Sequence, residues 1–272
     1  MTEHPEAPQG VDTLTPSIAR IYDYHLGGTH NYPVDREAAE NVTRDLPTFP
    51  AILRENRAFL RRAARYLAEQ GVGYFLDLGA GIPTVGNVHE IVQEVNPSAR
   101  VVYVDNDSVA IAHSREILAG NDRAAAVQAD LRDPAVVLAD PQVERLLLLE
   151  LGEPIAVILS AVLHFIPDDA EASALIAAYR DAMPPGSYLA VSHGAREQES
   201  EPQTARAAET YSRTVAAFRL RTPEELRGLL TGFELVDPGV VYCSQWRPDP
   251  DTPEQTGPLL PQICAVGRKL GA

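Results

Sequence analysis

DLGAGIPT, at residues 77–84, is the stretch of sequence that decides the fold. It overlaps the end of GYFLDLG, an apolar run with the length of a strand buried on both faces, and a helical segment follows it. Gly79 and Gly81 let the backbone turn sharply and approach a ligand with no Cβ in the way. A strand, a glycine turn and a helix in this order predict the first unit of a nucleotide-binding α/β fold.

The chain repeats this alternation after the glycine turn. Apolar runs of strand length occur at RVVYVDND, AAAVQADLRD, PIAVILSAVLHF and GSYLAVSHG, and helical patterns separate them over residues 85–95, 108–119, 134–149 and 169–183. Asp107 and Asp133 are suited to capping two of these helices. Alternating strands and helices predict βαβ units with right-handed crossovers and a mostly parallel sheet.

The C-terminal part departs from this alternation. Residues 196–217 are polar or Ala-rich and suit a mobile helix or lid. TPEE at residues 222–225 is a capping box that begins a helix extending to residue 230. Two strand-like runs follow, at residues 233–243 and 262–268. Since no helical pattern lies between them, we expect these two strands to pair antiparallel.

The N-terminal part predicts helices without strands. Residues 1–15 are polar and rich in Pro, Glu and Thr, which is typical of a disordered tail. Helices are expected over residues 17–24, over 36–46 with Asp35 as the cap, and over 50–70, where Pro50 begins the helix and Gly71 ends it. We therefore divide the chain into a tail (1–15), a helical cap (16–71) and a Rossmann-like domain (72–272).

Three carboxylates follow three consecutive predicted strands: Asp77, Asp105 and Asp130. The carboxyl ends of parallel strands meet at one edge of a sheet, and ligands of open α/β sheets bind at that edge. Asp105 lies 24 residues after Gly81, a spacing that suits a carboxylate accepting two hydrogen bonds from a ribose diol. Any one of these acids is equally typical of a helix cap, but the three in register indicate a binding site.

The residues around the glycine turn favour S-adenosylmethionine over a dinucleotide. A dinucleotide site has a third glycine where this chain has Thr84, and Asp77 would repel a pyrophosphate. S-adenosylmethionine has a ribose, an adenine, an ammonium group and a positive sulfonium, and it has no phosphate. The acids therefore predict a site for this methyl donor.

The composition narrows the function classes. The net charge of −15 disfavours nucleic acid and anionic membrane surfaces as partners. Cys243 and Cys264 are expected to be buried free thiols, and no metal site is expected because neither has a ligand at a suitable spacing. MTEHPEAPQG has no signal-peptide pattern, and the apolar run at 155–166 is too short to span a bilayer. We expect a cytoplasmic protein, with the oligomeric state left open.

These residues resemble class I S-adenosylmethionine-dependent methyltransferases. The whole chain is similar to a family of actinobacterial S-adenosyl methyltransferases formerly catalogued as a domain of unknown function. The similar stretches lie at residues 17–40, 54–67, 75–90, 101–107, 129–134 and 161–168 and in the GFELVDPGVV–QWRPD region. The resemblance implies a doubly wound, seven-stranded sheet, mostly parallel with the last strand antiparallel, and S-adenosylmethionine as the cofactor.

The resemblance also implies roles for individual residues. Gly79, Ala80 and Gly81 would line the methionine half of the donor, with Asp77 and Thr84 in the same turn. Asp105 and Asn106 would bind the ribose, while Asp130 and Leu131 would flank the adenine. The stretch from Ser160 and Ala161 to His164 would face the sulfonium and the acceptor.

The helical cap offers further candidates. Asn56 lies on the apolar stripe of the 50–70 helix, where a buried amide must find partners. A structural hydrogen bond and a contact to the donor are equally good interpretations of it. Tyr22, in a segment that mixes aromatics with turn glycines, suits either a contact to the donor or a place in the core. Arg20 and Arg57 are weaker candidates for binding the donor's carboxylate.

Methyl transfer to a neutral oxygen or nitrogen can use a general base. His164, after the fourth strand, is the first candidate, and His193 after the fifth strand is the second. His25 and His30 in the cap rank below them. A single histidine is more often structural than catalytic, and this chemistry does not strictly need a base.

We therefore predict an S-adenosylmethionine-dependent methyltransferase that acts on a small-molecule acceptor. A protein that binds the donor without catalysis is one alternative. An NAD-dependent oxidoreductase is another, which Asp77 and Thr84 disfavour. A nucleic-acid methyltransferase is the third, disfavoured by the net charge and by the lack of an Asn/Asp-Pro-Pro-aromatic motif after the fourth strand.

Overall fold

The computed structural model describes residues 12–83, 86–147, 151–196, 217–250, 252 and 258–271. Three helices come first: α1 (Ile18–His25), α2 (Pro33–Asp45) and α3 (Phe49–Glu69). Strands and helices then alternate: β1 (Tyr74–Leu78), α4 (Val88–Val95), β2 (Arg100–Asp105), α5 (Ser108–Ile117), β3 (Ala124–Gln128), α6 (Pro134–Leu138), α7 (Pro141–Leu147), β4 (Ile155–Ser160), α8 (Asp169–Ala182) and β5 (Tyr188–Gly194). The C-terminal elements are α9 (Pro223–Leu229), β6 (Phe233–Leu235), β7 (Val241–Tyr242) and β8 (Gln262–Lys269).

One sheet organises the chain, with the strand order β3-β2-β1-β4-β5-β8-β6. Strands β1 to β5 pair in parallel, and β8 runs antiparallel to β5. The order reverses between β1 and β4, which is the switch point where an open α/β sheet binds its ligand. The predicted doubly wound, mostly parallel sheet with an antiparallel last strand is confirmed.

The sheet has eight strands where seven were expected, because the predicted strand over 233–243 is interrupted. Its two parts, β6 and β7, both pair antiparallel with β8. Pro238 has no N–H to donate to the sheet, and Gly239 has a φ of +85°, so the backbone leaves the ladder between them. Together β6 and β7 occupy the one edge position expected for that strand.

Both faces of the sheet are buried, because successive side chains of a strand point to opposite faces. Leu76, Val102 and Val157 belong to the core under α6 to α9, while Phe75 and Val101 belong to the core under α3 and α4. Helix α3 contributes a buried stripe that includes Phe59 and Leu67. The continuous apolar runs of the sequence are therefore explained by two-sided burial.

A buried ion pair holds α1 on α2. The Arg20 Nε donates to Asp35 Oδ2 over 2.7 Å, and both side chains are almost fully buried. Asp35 also accepts the Tyr32 N–H, so it lies at the third position of α2 and is not the N-cap that was predicted. Arg20 further donates to the carbonyls of Asp12 and Thr15, which makes it a structural residue and not a surface arginine.

The predicted helix over 134–149 was wrong in its continuity. The structure has two short helices, α6 and α7, because Pro141 cannot donate the hydrogen bond that would continue the first. Asp107 and Asp133 cap α5 and α6 as predicted, and Thr222 forms the predicted capping box of α9. Residues 197–216 of the predicted lid and residues 1–11 of the predicted tail lie outside the described residues.

No helix in the described ranges is long and apolar enough to cross a membrane. The same ranges contain no group of three or more His, Cys, Asp or Glu side chains that could hold a metal ion. Cys243 and Cys264 are free and buried, as expected.

Candidate functional site

A cavity of about 460 Å³ lies at the carboxyl edge of the sheet, beneath α1. We call it the large cavity. It is lined by twelve of the predicted binding residues, though not by the weaker candidate Arg20: Tyr22, Asn56, Asp77, Gly79, Ala80, Gly81, Asp105, Asn106, Asp130, Leu131, Ser160 and Ala161. Thr84 lies outside the described residues. The ends of the parallel strands and the helical cap therefore form one continuous site, although the role of each residue stays a prediction.

The glycine turn after β1 requires glycine for two separate reasons. Gly79 has a φ of +71°, and a Cβ there would lie 2.5 Å from Cγ2 of Val162. Gly81 has a φ of +62°. The N–H groups of Gly79 and Ala80 both donate to the carbonyl of Val104 in β2, so the turn is fixed to the neighbouring strand. The turn therefore forms a rigid cradle, in which a ligand can come close to the backbone.

Asp77 presents a buried carboxyl group to this cradle. Burial raises its pKa to about 7, with the guanidinium of Arg57 lowering the pKa and the Asp105 carboxylate raising it further. Asp77 is buried, with only 4% of the residue exposed. Even so, no described residue donates a hydrogen bond to its carboxyl group. A buried acid without a donor has acceptor capacity left for a cationic ligand group.

Asp105 is held in place by the backbone. Its Oδ2 accepts the Gly81 N–H over 2.8 Å, and its Oδ1 accepts the Asp107 N–H over 2.9 Å. Burial raises the pKa of Asp105, and these two hydrogen bonds oppose that rise. Each carboxylate oxygen has a second lone pair, so the fixed side chain can still accept two hydroxyl groups from a diol.

Asp130 and Leu131 differ from each other in how they meet the cavity. Both Asp130 oxygens accept the Arg132 Nε over 3.0 Å, and this pairing lowers the pKa of Asp130. The Leu131 carbonyl accepts the Tyr179 hydroxyl, which fixes its backbone, while its side chain packs near Gly79. Leu131 is thus an apolar wall, and the Asp130 carboxylate already has a cationic partner.

Asn56 is the centre of a hydrogen-bond network on α3. Its Nδ2 donates to the Tyr22 hydroxyl over 2.9 Å and to Ser160 Oγ over 3.2 Å. Its Oδ1 accepts from Ser192 Oγ and from Gln262 Nε2. The protein uses the full capacity of this amide, which favours the structural interpretation of Asn56 over a direct contact to a ligand.

Arg57 emerges as the stronger of the two arginine candidates. It lines the large cavity and its guanidinium lies 6.0 Å from the ring centroid of Tyr22. Its Nε is buried with no hydrogen-bond partner among the described residues. Arg57 and Asp77 therefore place one cation and one anion in the same wall, a pair that suits the zwitterionic end of an amino acid.

The family model described as S-adenosyl methyltransferase matches residues 4–270. The chain belongs to this family. It is therefore an S-adenosylmethionine-dependent methyltransferase, and the glycine cradle with its unsatisfied Asp77 fits that cofactor.

Two solved structures are similar over nearly their whole length. One is a candidate methyltransferase from Thermobifida fusca YX, with a TM-score of 0.89 and 39% identity, covering 97% of this chain and 98% of that one. The other is a DUF574 family protein from Streptomyces avermitilis MA-4680, with the same TM-score and identity, covering 95% and 99%. Human N-acetylserotonin methyltransferase in complex with S-adenosylmethionine shares the fold, with a TM-score of 0.51, 15% identity and coverage of 92% and 62%. Among curated proteins, none is significantly similar.

A second cavity of about 90 Å³ adjoins the first in this methyltransferase. We call it the small cavity. The two cavities have Ile18, Tyr22, Ala161 and Phe165 in common. Ala161 has a φ of +54°, unusual for a residue with a side chain, and donates its N–H to Ser192 Oγ over 2.9 Å. The chain thus turns sharply after β4 at the boundary between the two cavities.

His164 lies in the small cavity and not in the large one. Burial lowers its pKa well below the ordinary value, and the nearby charges of His193 and Arg221 add to this. The ring is therefore neutral at physiological pH. Its Nδ1 is buried without a hydrogen-bond partner among the described residues, so it is the polar atom still to be satisfied at this place.

The other candidate histidines of the methyltransferase have structural partners or lie elsewhere. His193 Nδ1 lies 2.8 Å from the Gly194 carbonyl, and its Nε2 lies 2.8 Å from Arg221 Nη1, so both ring nitrogens are used within the fold. His25 packs against Phe49, and His30 lies 3.9 Å from Asp23. Neither His25 nor His30 lines a cavity described above.

Three residues that support the site were not predicted from the sequence: Ser17, Ser192 and Gln262. Ser192 and Gln262 position Asn56, yet both lie inside strands where only apolar runs were sought. Ser17, the N-cap of α1, donates its hydroxyl to Asp107 and so fastens α1 over the large cavity. A polar residue inside an otherwise apolar strand end is the signal that could have revealed Ser192 and Gln262.

Proposed function

We propose that this methyltransferase transfers a methyl group to a small organic molecule in the cytoplasm of an actinobacterium. The observation that supports a small acceptor is the junction of the two cavities: at Ala161 and Tyr22 the large cavity adjoins a space of about 90 Å³. The net charge of −15 disfavours nucleic acid. The buried free cysteines suit a reducing compartment, and the two similar proteins at 39% identity come from actinobacteria.

Each part of the large cavity has a proposed role toward the donor. Asp77 would accept the ammonium group and Arg57 would bind the carboxylate of the methionine half. Asp105 would accept the ribose hydroxyls, with Asn106 beside it. The side chain of Leu131 would contact the adenine, and Gly79 to Gly81 would allow the close approach of the ligand to the backbone.

S-adenosylmethionine supplies an electrophilic methyl group when it is bound. The protein's own contribution is to hold the acceptor at that methyl group and to exclude water. Ser160 and Ala161, at the end of β4, line the boundary where the acceptor must reach. His164 is neutral, so it can accept a hydrogen bond from an acceptor hydroxyl or amine and orient it toward the methyl group, while its lowered pKa makes it a weak base.

The donor half of the proposal is tested by calorimetric titration with S-adenosylmethionine, S-adenosylhomocysteine and NAD. We expect the first two to bind and NAD not to bind. Asp105→Ala is expected to weaken donor binding about tenfold or more, because it removes the acceptor for the ribose hydroxyls. Asp122→Ala is the matched control, since that carboxylate is 85% exposed and distant from the cavity.

The acceptor half is tested with methyl-labelled S-adenosylmethionine and actinobacterial cell extract. The extract is separated by size after the reaction. Label in the low-mass fraction is the expected result. Label confined to protein or nucleic acid would contradict a small-molecule acceptor, and donor binding without any label transfer would support the non-catalytic alternative.

A further inference from the structure

The walls of the small cavity are apolar on both sides. Helices α1 to α3 contribute Ile21, Val42, Leu46, Phe49 and Leu53 from one side. The opposite side comes from the ends of β4 and β5 and from the segment before α9. No Asp, Glu, Lys or Arg is among the described residues that line it. A charged ligand would lose its hydration there without gaining a partner, so the cavity selects against charge.

Aromatic rings form one end of the small cavity. The rings of His164 and Phe218 have centroids 4.6 Å apart, and those of Phe165 and Phe218 lie 5.8 Å apart at an interplanar angle of 61°. Tilted rings at such distances are the geometry in which aromatic groups attract one another. A planar ring entering the cavity would extend this cluster.

The polar groups of the small cavity differ in whether they are satisfied. The Tyr22 hydroxyl donates to the Leu53 carbonyl and accepts from Asn56, and Gln262 Nε2 donates to Asn56. By contrast, His164 Nδ1 is buried without a described partner. A buried ring nitrogen without a partner, in an apolar space, favours a ligand that carries a hydrogen-bonding group.

The volume limits the size of the group. A dry protein cavity of about 150 Å³ can bind benzene. The small cavity, at about 90 Å³, is smaller, so it encloses at most one ring, and the rest of the ligand extends across the boundary with the large cavity at Ala161, toward the donor.

We infer that the small cavity binds the methyl acceptor, and that this acceptor is an uncharged small molecule with one aromatic ring and a hydroxyl or amino group hydrogen-bonded to His164. The assignment rests on the proposed function and names its substrate class. It follows from the absence of charged side chains among the described lining residues, from the ring cluster and from the unsatisfied Nδ1 of His164.

The test uses three probes with the same phenol ring and different charge: para-cresol, para-hydroxybenzoate and tyramine. Binding to the full-length protein is measured by ligand-observed NMR and calorimetry with S-adenosylhomocysteine at saturation. We expect para-cresol to bind at least about tenfold more tightly than either charged probe. Equal or tighter binding of para-hydroxybenzoate or tyramine would overturn the inference and leave a small-molecule acceptor intact.

Substitutions of residues that line the small cavity test whether para-cresol binds there. Leu46→Trp fills the small cavity from a half-buried position and is expected to abolish para-cresol binding, with Leu151→Trp at an exposed position as its control. Phe218→Ala is expected to weaken para-cresol binding about tenfold. Neither residue lines the large cavity, so S-adenosylhomocysteine affinity should stay within about twofold, which reports that each variant is folded. Unchanged para-cresol binding in both Leu46→Trp and Phe218→Ala would overturn the inference.

Toluene isolates the hydrogen bond to His164, because it has the ring of para-cresol and no hydroxyl. The wild-type protein should prefer para-cresol to toluene by about fivefold or more, and His164→Phe should remove this preference while keeping the ring. A preference that persists in His164→Phe would contradict the assigned partner. If no probe binds and methyl label enters only macromolecules, the inference and the proposed function both fail.

Discussion

The large and small cavities share a boundary at Tyr22 and Ala161, yet their chemistry is opposite. The large cavity is lined by Arg57, Asp77 and Asp105 and by the Asp130–Arg132 pair, while the described lining of the small cavity has no charged side chain. The charges come mainly from the ends of β1 to β3. The apolar lining comes mainly from the helices placed over β4 and β5. One sheet edge therefore supplies a polar and an apolar space, depending on which helices cover it.

Of the substitutions proposed here, Gly79→Ala is expected to have the largest effect on donor binding, which is a loss of affinity in the large cavity. The new Cβ would collide with Val162 at a φ of +71°. We expect the calorimetric affinity for S-adenosylmethionine to fall about 100-fold, or roughly 2.7 kcal/mol. Gly120→Ala is the matched control, because Gly120 has a φ of +88° but no atom within 4 Å of a Cβ. Similar losses of affinity in both variants would show that the collision is not the cause.

Asp77→Asn is expected to stabilise the ligand-free protein at high pH. The folded-state pKa of about 7 exceeds the ordinary value of 3.8, so the folded protein holds a proton that the unfolded chain releases between about pH 4 and 7. The free energy of unfolding therefore falls as the pH rises through that window. Denaturant titrations should find the variant more stable than wild type by up to about 4 kcal/mol at pH 8, and nearly equal at pH 4.

The same Asp77→Asn variant is expected to bind S-adenosylmethionine about tenfold more weakly at pH 8, because the anion opposite the ammonium group is lost. Wild-type affinity should rise with pH as Asp77 ionises near pH 7, and the variant should lack this rise. Asp122→Asn, at an exposed carboxylate, should change neither property. If Asp77→Asn kept the wild-type pH dependence of donor affinity, the assignment of Asp77 to the donor site would be contradicted.

His164→Gln is expected to separate the two cavities in kinetics. The side chain lies in the small cavity only, so donor affinity should stay within about twofold while kcat falls about tenfold. Initial rates of label transfer to the low-mass acceptor and donor titrations measure the two quantities. A parallel loss of donor affinity would mean that His164 supports the large cavity instead.

Asp130→Asn is expected to have the smallest effect. Its carboxylate is paired with Arg132 at the rim, where both side chains are partly exposed. Exposed ion pairs contribute about 0–1 kcal/mol, so donor affinity should change by no more than about fivefold. A tenfold loss in calorimetry would show that Asp130, despite its partner, contacts the adenine directly.

The strand-end carboxylates could be predicted because their position depends on local pattern alone. Asp77 and Asp105 each follow an apolar run, and the topology of parallel strands brings such ends together. The break between α6 and α7 also follows from local chemistry, because Pro141 has no N–H to donate. The helical spacing of the apolar residues over 134–149 nevertheless predicts one continuous helix.

The cap contacts could not be predicted, because their partners are distant in the chain. Arg20 is buried only because Asp35 meets it, and Asn56 finds partners in α1, β5 and β8. No sequence motif predicts the small cavity, because its walls come from six or more separate segments of mostly apolar residues. Such a space exists only once tertiary packing is complete.

The hydrogen bond from Gln262 to Asn56 joins residues 206 positions apart and has a consequence for synthesis of the protein. A chain emerging from the ribosome acquires the glycine turn and the strand-end acids early. It acquires the partner that completes the Asn56 network only when β8, nearly the last element, is made. A prematurely terminated product would thus contain Asp77 and Asp105 but lack the β8 residue that completes the Asn56 network.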